Sequence, residues 1–373
     1  MTEPLTPGLR ASQWVSTSPG HENEGFICAH ANSFTSIDLK SIRTRRDKEK
    51  AEEESLCSGA TRAFGAGKRE REEQPDPLRT CFERDRDRIV HSTAFRRLAG
   101  KTQVVVYPTD HQRTRLTHAI EVAQVATSIA KAVGANVSLT DAIALGHDCG
   151  HGPGGHASEE AFDIFCPDGF DHGPWGADVA LSSLNLCEET LDGIRNHSWS
   201  RPAPSTIEGE IVSWADRIAY CAHDLEDAIH AGIVKPDDLP SIVVDRLGVD
   251  RSAQLSRLIY AVVNAVKETG KVSMDQSTYE ALAALRHFNY EHIYTREESL
   301  AQSVAVISVL RDLVSFYREN PSFLPENYRD EEDRLMSAIT YVAGMTDRFA
   351  FEQASALLGW DSERLPKGIG RGA

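Results

Sequence analysis

From Phe82 onward, apolar residues recur three and four positions apart, run after run, with glycine and proline at the breaks. That rhythm is the signature of successive amphipathic helices and restricts the chain to a mainly α fold. Val122, Val125, Ala126, Ile129 and Val133 mark the inward face of one helix, expected over 113–133 and stopped by Gly134. The same reading expects helices over 139–149, 208–231, 252–267, 275–289, 297–320 and 330–348. Strand alternation is nearly absent, and QVVVY (Gln103–Tyr107) is the one candidate for a short strand.

Before Phe82 the pattern is different. Residues 1–75 hold Pro, Gly and Ser, then the mixed-charge block RTRRDKEKAEEES and a Gly-rich stretch, with little apolar periodicity. They are expected to form a mobile arm carrying one short polar helix from Ile42 to Leu56.

Composition narrows the class. The 373 residues are 40% hydrophobic and 26% charged, as in a globular chain. No apolar run approaches the ~20 residues of a membrane helix. No basic start followed by an apolar stretch opens the chain, so a cytoplasmic location without membrane association is expected. The seven cysteines are scattered and form no CxxC pair, which argues against both a disulfide framework and a zinc ribbon. A net charge of -16 argues against indiscriminate coating of nucleic acid, although a local basic site remains compatible with a small anion or a strand.

Histidine use points to chemistry. Six of the 14 histidines fall between His111 and His172, among acids and glycines. In AIALGHDCGHGPGGHASEE, His147 and Asp148 are adjacent at the end of an apolar helix. His151 follows within a turn, so that the three share one flank. The glycines then end the helix and let backbone approach closely, and His156 and Glu159 come next at i,i+3 spacing. On the preceding helix, positions 118, 122, 125 and 129 share a face, so His118 points inward, with Arg115 one turn before it. In EIVSWADRIAYCAHDLEDA, Asp216, Tyr220, His223, Asp224 and Asp227 make one polar stripe.

A buried carboxylate is costly unless it is paired or bound to metal. Asp216 therefore calls for a cation, and His118, His147 and Asp148 supply the rest of a cage. Two imidazoles and two carboxylates suit Mn, Fe, Ni or Zn, with Mg a companion of phosphate groups. Each of these residues alone reads equally well as a satisfied core or helix-face group. His197 and His223 alone read as structural. The joint pattern H…HD…D is what points to metal.

That pattern resembles the signature of the HD superfamily. The longer stretches RDRDRIVHSTAFRRLAGKTQVVVYPTDHQRTRLTHAIEVAQVATSIA, AIALGHDCGHGPGGHASEEAF, ADRIAYCAHDLEDAI and YVAGMTDRFAFE resemble bacterial deoxyguanosinetriphosphate triphosphohydrolase-like proteins, from about residue 50 to the end. The resemblance implies an all-α HD fold. Residues 76–235 would be the catalytic core and residues 236–373 a helical part packed on it. It also implies a homo-oligomer, hexamer or tetramer, that splits a dNTP into deoxynucleoside and inorganic triphosphate. By the same resemblance His118, His147, Asp148 and Asp216 are the metal ligands. His151, His156 and His172 lie near the phosphates, with His156 and Glu159 as the catalytic pair. Arg115 binds phosphate, and the charge to be neutralised there calls in addition, apart from the resemblance, for a basic residue such as Arg217 or Lys101. Gln103, Tyr220 and Asp224 hold the sugar.

Two departures stand out. The family loop GHPPFGHxGE reads GHGPGGHASE here, and Gly173-Pro174-Trp175-Gly176 replaces Asn-x-Gln-Ser after His172. Two other readings stay open. One is a different HD phosphohydrolase, a 5′-nucleotidase or a cyclic-nucleotide phosphodiesterase. The other is a low-turnover nucleotide sensor or single-strand-binding regulator, suggested by Arg84, Arg86, Arg88, Arg96 and Arg97.

Overall fold

The computed structural model describes residues 8–32, 36–104 and 112–366. Val105–Tyr107 of the candidate strand lie outside them. The chain falls into two units, Met1–Arg43 and Thr44–Ala373. In the first, helix α1 (Leu9–Thr17) precedes a hairpin of β1 (His21–Asn23) and β2 (Phe26–Cys28). Glu24 and Gly25 turn it with φ of 51° and 82°, as a two-residue hairpin turn requires.

The second unit is helical throughout its described residues, as the periodicity demands. After α2 (Arg45–Ser55) come α3 (Cys81–His91), α4 (Thr93–Arg97), α5 (Arg115–Val133) and α6 (Val137–Gly146). Then follow α7 (His156–Asp163), α8 (His172–Trp175), α9 (Glu188–Asn196) and the long α10 (Ile207–His230). The last are α11 (Ser241–Arg246), α12 (Arg251–Thr269), α13 (Gln276–Asn289), α14 (Glu297–Glu319), α15 (Arg334–Ala343) and α16 (Asp347–Leu358). Gly134 caps α5 with φ 76°, and the Asn136 side chain accepts from the Ser138 and Leu139 amides to start α6 at once. That tight turn sets α5 and α6 side by side, with α3, α9 and α10 packed around them.

Three expectations need correction. Packing begins at Thr44, not after residue 75. Ala60 and Ala63 are buried, Glu208 accepts from the Thr61 amide and hydroxyl at 3.1 and 2.8 Å, and Arg69 meets buried Asp85 at 2.6 Å. Polar anchors fix this segment, so apolar periodicity could not reveal it. The helix expected over 330–348 is two, because the chain turns at Gly344–Thr346 and the Thr346 hydroxyl caps α16 at the Phe349 amide. Finally, α14 is long and apolar enough to cross a membrane by length and composition, although Arg311 and Asp312 interrupt its apolar run. Its Val306, Leu310, Leu313, Val314 and Tyr317 are buried in the fold.

The core has two parts. One joins α3, α5, α6, α9 and α10 to α12 and α13. The other joins α7 to α14, α15 and α16. The helices after residue 235 thus contribute to both cores, and residue 235 marks no seam between them.

Candidate metal centre and its cavity

Where the two cores meet, α5, α7, α10 and the turn after α6 surround a cavity of about 480 Å³. The first turn of α5 presents Arg115 and His118, both buried. The turn after α6 presents His147, Asp148 and His151, α7 presents His156 and Glu159, and α10 presents Asp216, Arg217, Tyr220 and Asp224. Of the residues singled out from the sequence, Gln103, Arg115, His118, Asp148, His151, His156, His172, Asp216, Arg217, Tyr220 and Asp224 line the cavity, whereas Lys101, His147, Glu159, His223 and Asp227 do not.

His118, His147, Asp148 and Asp216 come together. Asp216 Oδ1 is 3.0 Å from His118 Nε2 and 3.7 Å from His147 Nε2. Asp148 Oδ1 is 3.5 Å from His147 Nε2, and its Oδ2 is 3.9 Å from His118 Nε2. His147 Nδ1 donates to the Ala144 carbonyl at 2.6 Å, so its Nε2 carries the lone pair; that atom is buried and has no hydrogen-bond partner. A buried lone pair between two carboxylates is satisfied by a cation, and these donors fit a divalent transition ion.

Arg115 supplies positive charge from the side. Its Nη1 donates to Asp148 Oδ2 at 2.7 Å, while Nε and Nη2 are buried without partners. Gly155, at φ 64°, makes room: a Cβ there would lie 2.7 Å from Arg115 Nη2. Burial raises the Asp148 carboxyl, but Arg115, His147 and His151 outweigh it and hold it well below the usual range. Asp216 is likewise lowered, its burial overcome by the hydrogen bond from His118. Burial pushes the His147 and His151 imidazoles down.

Beyond this cluster stands a chain of histidines joined by Glu159. Glu159 Oε2 meets Nδ1 of exposed His156 at 2.9 Å, and its Oε1 meets Nδ1 of His172 at 2.6 Å. His172 stacks on His151 at 3.8 Å between ring centroids, and its Nε2 lies 3.0 Å from Nε2 of His197. Burial works against the charge on His172, yet the hydrogen bond and charge of Glu159 lift its pKa overall. The altered sequence after His172 therefore leaves the ring in the site, with Trp175 packed on Phe170 behind it at 4.7 Å.

The far end of the cavity is aromatic and basic. The Arg217 guanidinium lies 3.4 Å from the centre of the Trp199 ring, and Arg286 Nε donates to the Tyr220 hydroxyl at 2.9 Å. Gln103 Oε1 is buried without a partner. Asp224 has both oxygens engaged, by Arg113 and by the Tyr294 hydroxyl. His223 is apart from the cavity, donating from Nδ1 to the Ala219 carbonyl at 2.7 Å.

Lys101 is a correction. Its buried Nζ donates to the His151 and Ala343 carbonyls, and burial lowers its pKa to about 8. It braces the turn and does not face the cavity. Of the arginine run, Arg84 and Arg88 pair with Glu73, and Arg86 pairs with Asp141. Their charge is thus spent locally. Sequence reasoning missed Trp199 and Asp347, and it read His197, which lines the cavity, as structural. Asp347 accepts from the Thr102 amide at 2.9 Å, from the Thr102 hydroxyl and from the Gly154 amide at 2.8 Å, tying two cavity segments to α16. None of the three has a periodic or paired neighbour that would have marked it.

Residues 115–221 match the HD domain and residues 272–356 the phosphohydrolase-associated domain. A deoxyguanosinetriphosphate triphosphohydrolase-like protein of Caldanaerobacter subterraneus is 39% identical over 83% of this chain and 94% of its own length. One from Clostridium perfringens is 42% identical over 75% and 87%. Among solved structures, a phosphohydrolase from Bacteroides thetaiotaomicron aligns at 18% identity and TM-score 0.46, over 72% of this chain and 68% of that one. On the strength of these relatives the chain belongs to the deoxyguanosinetriphosphate triphosphohydrolase-like family of HD-domain phosphohydrolases.

Proposed function

We propose that this protein hydrolyses a deoxynucleoside triphosphate to the deoxynucleoside and inorganic triphosphate with the help of a divalent metal ion. One observation carries the reading. Partnerless donors of Arg115 open beside the His118–His147–Asp148–Asp216 cluster into a cavity that continues to an aromatic, basic end. Anion at one end and flat ring at the other is the outline of a nucleotide. The triphosphohydrolase names of the relatives support the same substrate class.

A divalent ion held by His118, His147, Asp148 and Asp216 would polarise a phosphoryl oxygen and lower the pKa of bound water. The protein's own groups do the rest. Arg115 Nε and Nη2 bind phosphate oxygens and offset charge that grows in the transition state. Water adds to the α-phosphorus as the bond to the 5′-oxygen breaks; His156 in its protonated form gives its Nε2 proton to that oxygen, and the proton lost by the attacking water passes to solvent, from which the ring is reprotonated. Glu159 holds the ring by Nδ1 and stabilises its charge. Arg217, spread on Trp199, adds positive charge and a flat surface at the aromatic end of the cavity. The Tyr220 ring and Gln103 bound the sugar.

The test is incubation of the protein with each dNTP in turn and Mn, followed by chromatography. Free deoxynucleoside and tripolyphosphate in equal amounts are expected. Orthophosphate as the sole phosphate product, or no turnover with any dNTP, overturns the reading.

A further inference from the structure

We propose that Cys81 and Cys187 form a redox-modification site, a thiol pair that a hydroperoxide converts to a disulfide. The inference lies beyond the phosphohydrolase activity and does not rest on it. Cys81 is the first residue of α3, and Cys187 caps the start of α9. Gly67 meets both of them. A Cβ on Gly67, whose φ is 79°, would lie 2.5 Å from the Cys81 sulfur and 3.4 Å from the Cys187 sulfur. Glycine lets the backbone pass this close over the pair. The two thiols are in hydrogen-bonding contact. That bond, with burial and the charge of Asp85, pushes the Cys187 thiol up, so Cys187 is the protonated partner.

Polar contacts fix the two helix starts against each other. Asp85, one turn into α3, accepts through Oδ2 from the Cys187 amide and from the Thr190 hydroxyl, both at 2.8 Å. Arg69 Nη2 donates to the Cys81 carbonyl at 3.0 Å, and its Nη1 meets Asp85 Oδ1 at 2.6 Å. Both oxygens of Glu189, on α9, accept from the Gly67 amide at 3.2 Å. Closing a sulfur–sulfur bond of about 2.05 Å therefore asks for side-chain rotation rather than a shift of helices.

The sulfurs differ in access. Cys187 is buried, whereas Cys81 is partly exposed and lines a cavity of about 320 Å³ with Arg45, Lys68, Arg71 and Arg84. A water fills about 30 Å³ of liquid, so a small peroxide fits there. Cys81 in its thiolate form attacks one peroxide oxygen and the O–O bond breaks. The departing oxygen takes the proton that Cys81 gave up, and Cys81 becomes a sulfenic acid. The Cys187 sulfur then attacks the Cys81 sulfur, the S–O bond breaks, and the hydroxyl leaves as water with the proton of Cys187. Each sulfur gives up one electron in total, and hydrogen peroxide becomes two waters. The bond ties the start of α3 to α9, the helix that leads to His197 at the cavity beside Asp216.

Hydrogen peroxide itself is the probe. Reduced full-length protein is treated with it, the remaining thiols are alkylated in denaturant, and the digest is mapped by mass spectrometry. The expected result is the loss of two of the seven thiols, one linked peptide joining Cys81 to Cys187, and full recovery with dithiothreitol. Cys187→Ser, which keeps a helix-capping side chain, should give no linked peptide. With dimedone present it should carry the sulfenic-acid adduct on Cys81, at the far-UV circular dichroism of the parent. Seven thiols left in the treated parent overturn the proposal. So does thiol loss without the Cys81–Cys187 peptide, or a dimer on a non-reducing gel, which would place the link between chains. A dimedone adduct on Cys187 in Cys81→Ser as abundant as that on Cys81 in Cys187→Ser overturns the assignment of Cys81 as the attacking sulfur. Turnover of dNTP enters none of these readouts, so the site and the proposed activity stand or fall separately.

Discussion

Glu159 Oε1 accepts from both the backbone amide and Nδ1 of His172, at 3.1 and 2.6 Å. Its other oxygen holds His156 at 2.9 Å. One carboxylate thus sets the tautomer of a buried ring and of an exposed one. Glu159→Gln keeps the shape but loses the charge that stabilises an imidazolium. Its kcat should fall by about 10²–10⁴, the usual worth of a positioned acid, with a much smaller change in KM. Steady-state kinetics on the preferred dNTP check this, and a variant within threefold of the parent removes Glu159 from the mechanism.

Among the described residues, Asp216 is the one acid near both His118 and His147 through the same oxygen. Asp216→Ala should lose tightly held metal together with turnover, by about 10³-fold or more given what a bound ion contributes. Elemental analysis after gel filtration, beside the turnover assay, reads both. Full activity in this variant would refute the ligand assignment.

The site also imposes a pH dependence on stability. Asp148, Asp216 and Glu159 are all held below their usual carboxyl values in the folded state. Between those values and the ordinary carboxyl range near 4, the unfolded chain binds more protons, so stability rises with pH across that window. The stabilisation is complete above about pH 5 and is lost as pH falls. Melting temperatures of the metal-free protein should therefore drop between pH 5 and pH 3. The drop should be shallower in Glu159→Gln. Parallel profiles for parent and variant would show that Glu159 contributes nothing to the linkage.

Asp347 is a structural prediction. Its carboxylate is buried and accepts from Thr102 and Gly154. Asp347→Ala strands two backbone amides and should cost about 2–6 kcal/mol, given about 1–3 kcal/mol for each buried donor left unmet. Urea unfolding measures the loss. Because Gln103 and the 152–155 turn both hang on this anchor, KM should rise about tenfold if the site loosens by a single lost contact of roughly 1.4 kcal/mol. An unchanged KM with lowered stability would confine Asp347 to the fold.

Much of the molecule is legible in the chain. Helical spacing of apolar residues determined the long elements, because a 3.6-residue period is local and leaves its mark on every turn: α5, α10, α12, α13 and α14 lie within a few residues of where the pattern puts them. The H…HD…D spacing singled out four side chains that the fold brings together, since two of them are adjacent and the others sit on helix faces the pattern resolves. What only the tertiary structure decided is everything held by contacts between distant segments. His197 meets His172 from 25 residues away and Asp347 reaches Thr102 from 245 away. The packing of residues 44–75 rests on Glu208 and Asp85, which no local period announces. Lys101 looks like a phosphate ligand until its ammonium is found against two carbonyls. A polar side chain acts through whatever faces it, and in a helical fold that partner is chosen by how the helices cross, not by the neighbours along the chain.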